Sequence, residues 1–182
     1  MGAVKTRSGF VGTEQILLRT IVYCVYLICM DMKITSQHGT YALVFQCHQP
    51  KAVTVGNLGD VLIASGFWIY VGSAFGPGGL RSRLRHHLKP SPSPHWHMDY
   101  IKTVMQPVEI WTTTDTVKRE HEWARALASL RGASQPIAGF GATDCDCRAH
   151  LIHLCRQPQI SGFRSKIRKM IPSQGRLSKW PC

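Results

Sequence analysis

Three stretches carry the apolar alternation of a β-strand. Gly39-Thr40-Tyr41-Ala42-Leu43-Val44-Phe45 is the first, Gly66-Phe67-Trp68-Ile69-Tyr70-Val71-Gly72 is the strongest, and Val108-Glu109-Ile110-Trp111-Thr112-Thr113 is the third. Between the first two, Gln49-Pro50-Lys51 breaks the pattern. Val53-Thr54-Val55, the turn Gly56-Asn57-Leu58-Gly59 and the return Asp60 to Ala64 then read as an inserted hairpin. Helical spacing predicts a helix over Leu80 to Leu88, ended by Lys89-Pro90-Ser91-Pro92-Ser93-Pro94, where prolines remove donors and restrict their neighbours. His95 to Ile101 starts another. Asp115 is the expected N-cap of a helix from Thr116 to about Leu130, stopped by Arg131-Gly132. Trp123, Ala124, Leu127 and Leu130 share one face of it, with Glu120 at the edge of that stripe. Phe140 to Cys147 is a loop, and Arg148 to Leu154 is a short strand or helical turn.

The two ends of the chain lack this regularity. Ile16 to Met30 is apolar except for Arg19 and Thr20. It is short for a membrane span, which needs about 20 residues. Lys5 and Arg7 precede it as in a signal peptide, but Asp31-Met32-Lys33 is not a small-residue cleavage site. Residues 1–36 are therefore an N-terminal extension, open to three readings: residues upstream of a true start at Met30 or Met32, a membrane-associated segment, or a packed extra helix. From Arg156 onward there are six Lys and Arg beyond it in Arg164, Lys166, Arg168, Lys169, Arg176 and Lys179, and no acid. Residues 157–182 are expected to be a weakly ordered basic tail that adds electrostatic affinity for a polyanion.

Composition narrows the partners. The 182 residues suffice for one domain with a real core, and 44% apolar content excludes a disordered chain. Twenty-two Lys and Arg against ten Asp and Glu give a net charge of +12. Such an excess suits a nucleic acid first and an anionic membrane second. Seven irregularly spaced cysteines do not resemble a secreted disulfide framework, so a reducing cytoplasm is the expected compartment.

Candidate chemistry concentrates after the strongest strand. Tyr70-Val71-Gly72-Ser73 leads into a glycine-rich turn, and the following helix presents Arg81, Arg83, Arg85, His86 and His87. A bending backbone followed by cations suits a phosphate. Glu120 is the nearest candidate metal ligand, with Glu122 its rival on a different helix face. Cys145-x-Cys147-x-x-His150 has zinc-ligand chemistry, with a fourth ligand sought among His95, His97 and His153; buried inert cysteines are the alternative. Asp144 is a possible substrate contact. Trp96 between two histidines is either a stacking surface for a base or a core residue.

In order along the chain, Gly39-Thr40-Tyr41, Tyr70-Val71-Gly72, Arg83 and Glu120 resemble the motifs of the GIY-YIG nuclease superfamily. The Tyr-Val-Gly-Ser-Ala and Gly-Gly-Leu segments with the Arg/His-rich helix, His95-Trp96-His97-Met98-Asp99-Tyr100, Glu120-x-x-Trp123-Ala124 and Phe140-Gly141-Ala142-Thr143-Asp144-Cys145-x-Cys147-x-x-His150-Leu151 are similar to its Uri-type branch of uncharacterised endonucleases. The resemblance covers roughly residues 38–155. The gap between the two tripeptides exceeds the superfamily's usual short hairpin, which the inserted Lys51-to-Ser65 stretch accounts for.

This resemblance implies a small α/β sandwich in which a central three-stranded antiparallel sheet, over 40–46, 66–72 and 108–113, is flanked by helices. Residues 37–156 would be the nuclease domain, and Tyr41 and Tyr70 would lie close together. The implied activity is divalent-metal-dependent hydrolysis of DNA phosphodiesters, structure-directed or weakly sequence-specific. RNA is an open alternative substrate, and a membrane is a partner only if the N-terminal apolar segment is genuine. A catalytically inactive nucleic-acid-binding module of the same fold is the alternative function. Glu120 would hold Mg²⁺ or Mn²⁺, Arg83 would neutralise phosphate charge, and Tyr41 or Tyr70 would accept a proton from water. Gly72, Ser73, Arg81, Arg85, His87 and Trp96 would contact substrate.

Overall fold

The structure is a computed structural model that describes residues 34–182, so the readings made for Ile16–Met30 and the possible starts at Met30 or Met32 fall outside the described residues. Its strands are β1 (Thr40–Cys47), β2 (Lys51–Thr54), β3 (Asp60–Ile63), β4 (Gly66–Ser73), β5 (Gln106–Thr113), β6 (Leu151–Leu154) and β7 (Ser178–Pro181). Its helices are α1 (Gly79–Leu88), α2 (His97–Ile101), α3 (Glu120–Ala128) and α4 (Ile160–Met170).

Five strands form one antiparallel sheet in the order β6-β4-β1-β5-β7, and β2 pairs with β3 in a separate two-stranded sheet. The expected three-stranded sheet is thus corrected to five, in an α+β arrangement. The three strands read from alternation are its centre. The two additions are four-residue edge strands with too few positions to show a period. Leu151-Ile152-His153-Leu154 is a nearly continuous apolar run. Ser178-Lys179-Trp180-Pro181 has two polar residues and ends in a proline, which an edge position tolerates.

Register explains why β1 is buried almost throughout. Ala42 and Val44 of β1, Ile69 and Val71 of β4 and Trp111 of β5 point to one face. There they pack with Trp123, Ala126 and Leu127 of α3 and Phe163 and Ile167 of α4. Tyr41, Leu43 and Phe45 of β1 point to the other face with Trp68 and Tyr70 of β4. The helix α1 lies against this second face, its His87 ring 5.8 Å from Tyr41 and 5.3 Å from Tyr70.

Residues 157–182 are not a weakly ordered tail. Ile160, Phe163 and Ile167 bury one face of α4, and β7 pairs with β5 from Ser178↔Thr112 to Pro181↔Glu109. The basic residues are the solvent side of an amphipathic helix, and the charge count masked its apolar stripe. The helix α3 also begins at Glu120 rather than Thr116. Asp115 does not cap it: its carboxylate accepts the Val117 and Gly175 N–H groups and pairs with Arg119 at 3.2 Å. That network holds residues 115–119 as a turn.

Candidate active site

The β1–β4 register sets the first half of the site. Tyr41 lies opposite Gly72, and Tyr70 opposite Leu43, which puts both tyrosines on one face with ring centroids 6.5 Å apart. A Cβ at Gly72 would overlap the Tyr41 hydroxyl, so the glycine is the seat of that ring. The helix α1 supplies the second half. Leu80 and Leu84 are buried, and Arg83 and His87, one turn apart, lie along the same side. Arg81 and Arg85 lie on another face and do not line the cleft, so of three candidate arginines only Arg83 reaches it.

The cleft has a volume of about 510 Å³. Tyr41, Tyr70, Gly72, Ser73, Arg83, His87, Trp96 and Glu120 all line it, together with His95, His97, Lys118, Gly141, Thr143 and Asp144. Lys118 carried no signal in the sequence. It lies in the turn that replaces the expected first helical residues.

Glu120 opens α3, where the helix dipole favours a carboxylate. The Ser73 hydroxyl donates to its Oε2 at 2.7 Å, and Lys118 Nζ lies 3.4 Å from the same oxygen. His150 Nδ1 is 3.0 Å from Oε1, within ion-pair range though not aligned as a hydrogen bond. Burial pushes the Glu120 carboxyl up, but His150, Ser73 and Lys118 together outweigh it and hold the group at about 2. The carboxylate is therefore ionised. Glu122 instead pairs with Arg119 at 3.6 Å and does not line the cleft.

Arg83 stacks its guanidinium over Trp96, 4.5 Å from the ring centroid. Trp96 is itself held from below. The buried Asp99 carboxylate accepts the backbone N–H groups of His95 and Trp96 and the Ser91 hydroxyl, and pairs with Lys102 at 2.7 Å. Burial pushes this carboxyl up, and the Lys102 and backbone hydrogen bonds bring it well below its ordinary range. The proline-rich segment is thereby fastened to α2, with His95 and Trp96 turned into the cleft.

His87 is 2% exposed and sits among the rings of Tyr41, Tyr70 and Trp96, and its Nδ1 has no hydrogen-bond partner. Burial, followed by the charges of His86, Lys102 and Arg83, pushes its pKa down to about 3, so the ring is neutral. Both cleft phenols are raised: Tyr41 by burial, then Tyr70, and Tyr70 by burial, then Glu120. Arg83 acts in the opposite direction on each.

The donor set fits a hard divalent cation. An ionised carboxylate stands beside a hydroxyl on the wall of a polar cleft roomy enough for water ligands. Cys145, Cys147 and His150 lie together, and the histidine that joins them is His121 of α3. The expected partners are elsewhere. His95 and His97 line the cleft, where His97 Nδ1 accepts the Gly141 N–H, and His153 bonds the Ser65 carbonyl on β6.

Residues 40–172, from β1 through α4, match the family described as a domain of unknown function, DUF123, and the chain belongs to that family. The matched span includes α4, in keeping with its packing onto α3. Among curated proteins and among solved structures nothing matches the chain. Among the described residues no helix is long and apolar enough to cross a membrane.

Proposed function

We propose that the cleft is the active site of a divalent-metal-dependent endonuclease that hydrolyses DNA phosphodiesters. One observation carries the reading: Tyr41, Tyr70, Arg83 and Glu120, from four different elements, converge on one cleft. The resemblance of the same residues to GIY-YIG motifs and the net charge of +12 support it.

A phosphate entering the cleft meets the Arg83 guanidinium, whose planar donors match phosphate oxygens and neutralise the charge that builds on them. Trp96 and the Asp99 network hold that guanidinium in place. Glu120, with waters, would hold Mg²⁺ or Mn²⁺, which would supply Lewis-acid polarisation of the phosphoryl group and stabilisation of the leaving oxygen. Ser73 fixes the Glu120 carboxylate from the side. The Tyr41 and Tyr70 hydroxyls orient the attacking water. Burial favours their neutral form and Arg83 favours the phenolate, so proton removal by either depends on the cations of the site. Neutral His87 packs both rings into one arrangement. RNA is the alternative substrate, and a reducing cytoplasm remains the expected compartment.

One observation favours the inactive binding module instead: Glu120 is already engaged by Ser73, Lys118 and His150. Incubation with supercoiled, branched and single-stranded DNA plus Mg²⁺ or Mn²⁺ separates the two. The nuclease reading expects cleavage by the wild type that Arg83→Ala and Glu120→Gln strongly reduce. DNA binding without cleavage under all conditions, or cleavage unchanged in both variants, replaces it with the binding module or with another site.

A further inference from the structure

Outside the cleft, His121, Cys145, Cys147 and His150 offer four ligand atoms that all lie within 4.8 Å of one another. Cys145 Sγ is 3.5 Å from His150 Nε2, and Cys147 Sγ is 3.5 Å from His121 Nδ1. A tetrahedral zinc with bonds of about 2.3 Å to sulfur and about 2.0–2.1 Å to nitrogen has S···N edges of about 3.5 Å. Two of the six edges thus already have the length a zinc tetrahedron requires, and the remaining pairs lie within 4.8 Å, close enough for two thiolates and two imidazoles to converge on one ion. We propose that these four side chains bind one zinc ion, and that this ion orients Glu120 through His150.

The surroundings point the same way. Residues 135–150 contain no helix or strand, yet Phe140, Ala149 and His150 are buried. A stretch this long without regular structure inside a compact domain needs a local organiser. Zinc supplies it by tying Cys145, Cys147 and His150 to His121, the second residue of α3. Four protein ligands leave no open position, so the ion is structural. Two thiolates and two imidazoles suit zinc over Mg²⁺ or Ca²⁺, which take oxygen.

The link to Glu120 follows from the two nitrogens of one ring. His150 faces Cys145 with Nε2 and Glu120 with Nδ1. When Nε2 binds the metal, the ring proton must sit on Nδ1, 3.0 Å from Oε1 of Glu120, and a turn of the ring onto the metal would align it for donation. Metal-bound histidines commonly give their second N–H to a carboxylate in this way. Glu120 is then a positioning partner of the zinc site and, at the same time, the ligand of the catalytic cation. The zinc site stands independently of the nuclease reading, and only its consequence for cleavage rests on that reading.

Elemental analysis of the purified full chain tests the proposal. The expected content is one zinc per chain. Cobalt exchanged into the site should give the visible bands of tetrahedral Co²⁺ with thiolate charge transfer, and zinc should protect Cys145 and Cys147 from alkylation while Cys155 reacts. Cys147→Ser and His121→Ala should each weaken zinc binding at least about 100-fold, the upper end of what loss of an outer partner costs. His153→Ala and Glu120→Gln should retain one zinc. If a ligand variant fails to fold, the alkylation map of the wild type decides alone. Ring ¹⁵N shifts of His150 in the zinc-loaded protein should place the proton on Nδ1. A wild type that neither carries nor takes up zinc or cobalt, or variants that keep full affinity, overturns the site. A proton on Nε2 overturns the link to Glu120. A zinc-loaded protein that cuts no DNA leaves the site standing and removes only the nuclease reading.

Discussion

The two faces of the central sheet are made by the same strands and do different work. On the α3–α4 side, Ala42, Val44, Ile69, Val71 and Trp111 meet Trp123 and Phe163, with the Trp111 and Phe163 rings stacked at 5.5 Å and Trp123 edge-on to Phe163 at 5.0 Å. On the α1 side, the next residues along, Tyr41, Tyr70 and Gly72, meet His87 and open toward Arg83 and Glu120. A period of two lets one strand serve as core and as cleft wall without compromise between them. The polar side tolerates an unpartnered His87 nitrogen and two phenols held away from ionisation, whereas the other side is mainly apolar packing, with the Trp111 and Trp123 indole N–H groups donating to Glu109 and Gln174.

That contrast can be broken from its strong end. Trp123→Ala should cost about 3–5 kcal/mol, because it empties a fully buried aromatic site. Urea denaturation reads it directly, and a loss below about 1 kcal/mol would mean that α3 is not docked by this side chain. Arg83→Ala and Glu120→Gln should behave in the opposite way. Each should reduce cleavage by about 100-fold to 1000-fold while the thermal midpoint moves by only a few degrees. Comparable losses of stability on both sides would erase the distinction between core and wall.

Gly72 sharpens the comparison, since it belongs to the chemical face but acts through packing. Gly72→Ala should destabilise by about 1–3 kcal/mol through overlap with the Tyr41 ring. In a Tyr41→Ala background most of that cost should vanish, which a double-mutant cycle measures. Additive losses would place the strain elsewhere.

The buried imidazole predicts a pH signature. An unfolded His87 takes up a proton near pH 6.5, whereas the folded ring resists it until about 3. Protonation thus favours the unfolded chain, and stability falls as pH drops through that window. His86, Lys102 and Arg83 reinforce the effect and Asp99 opposes it. His87→Phe should flatten stability between about pH 6.5 and 3. An unchanged slope would assign the acid sensitivity to other groups. Asp99 acts with the same sign at lower pH, because its depressed carboxyl loses its contribution as pH falls below the ordinary carboxylate range. The smallest expected effect lies outside the cleft. Arg81→Ala should leave the cleavage rate on saturating DNA unchanged and lower the salt slope of binding by at most about one.

Much of the cleft was legible before folding. Tyr41, Tyr70, Gly72, Arg83, His87 and Glu120 could be singled out because the segments they stand in resemble GIY-YIG motifs; strand alternation added only that both tyrosines stand on regular strands. The preference for Arg83 over Arg81 and Arg85 has the same origin, since Arg83 is the one that falls at the motif's arginine position. The fourth metal-cluster histidine was not legible. His121 is 24 residues from Cys145, and nothing local distinguishes it from His95, His97 or His153. The basic C-terminal segment misled for a related reason: net charge describes the exposed side of α4, whereas Ile160, Phe163 and Ile167 decide where it docks.

By itself, the sequence determined the three central strands, the basic helix after the glycine turn, the apolar stripe of α3 and the net positive charge. These follow from periods of 2 and 3.6 residues and from composition, which are local quantities. Only the tertiary structure decided that two short edge strands complete the sheet, that Asp115 holds a turn instead of capping α3, that Glu120 and not Glu122 enters the cleft, and that His121 joins Cys145, Cys147 and His150. Each of those outcomes rests on partners far apart in the chain, and their meeting is fixed by how the elements pack, not by any spacing within them.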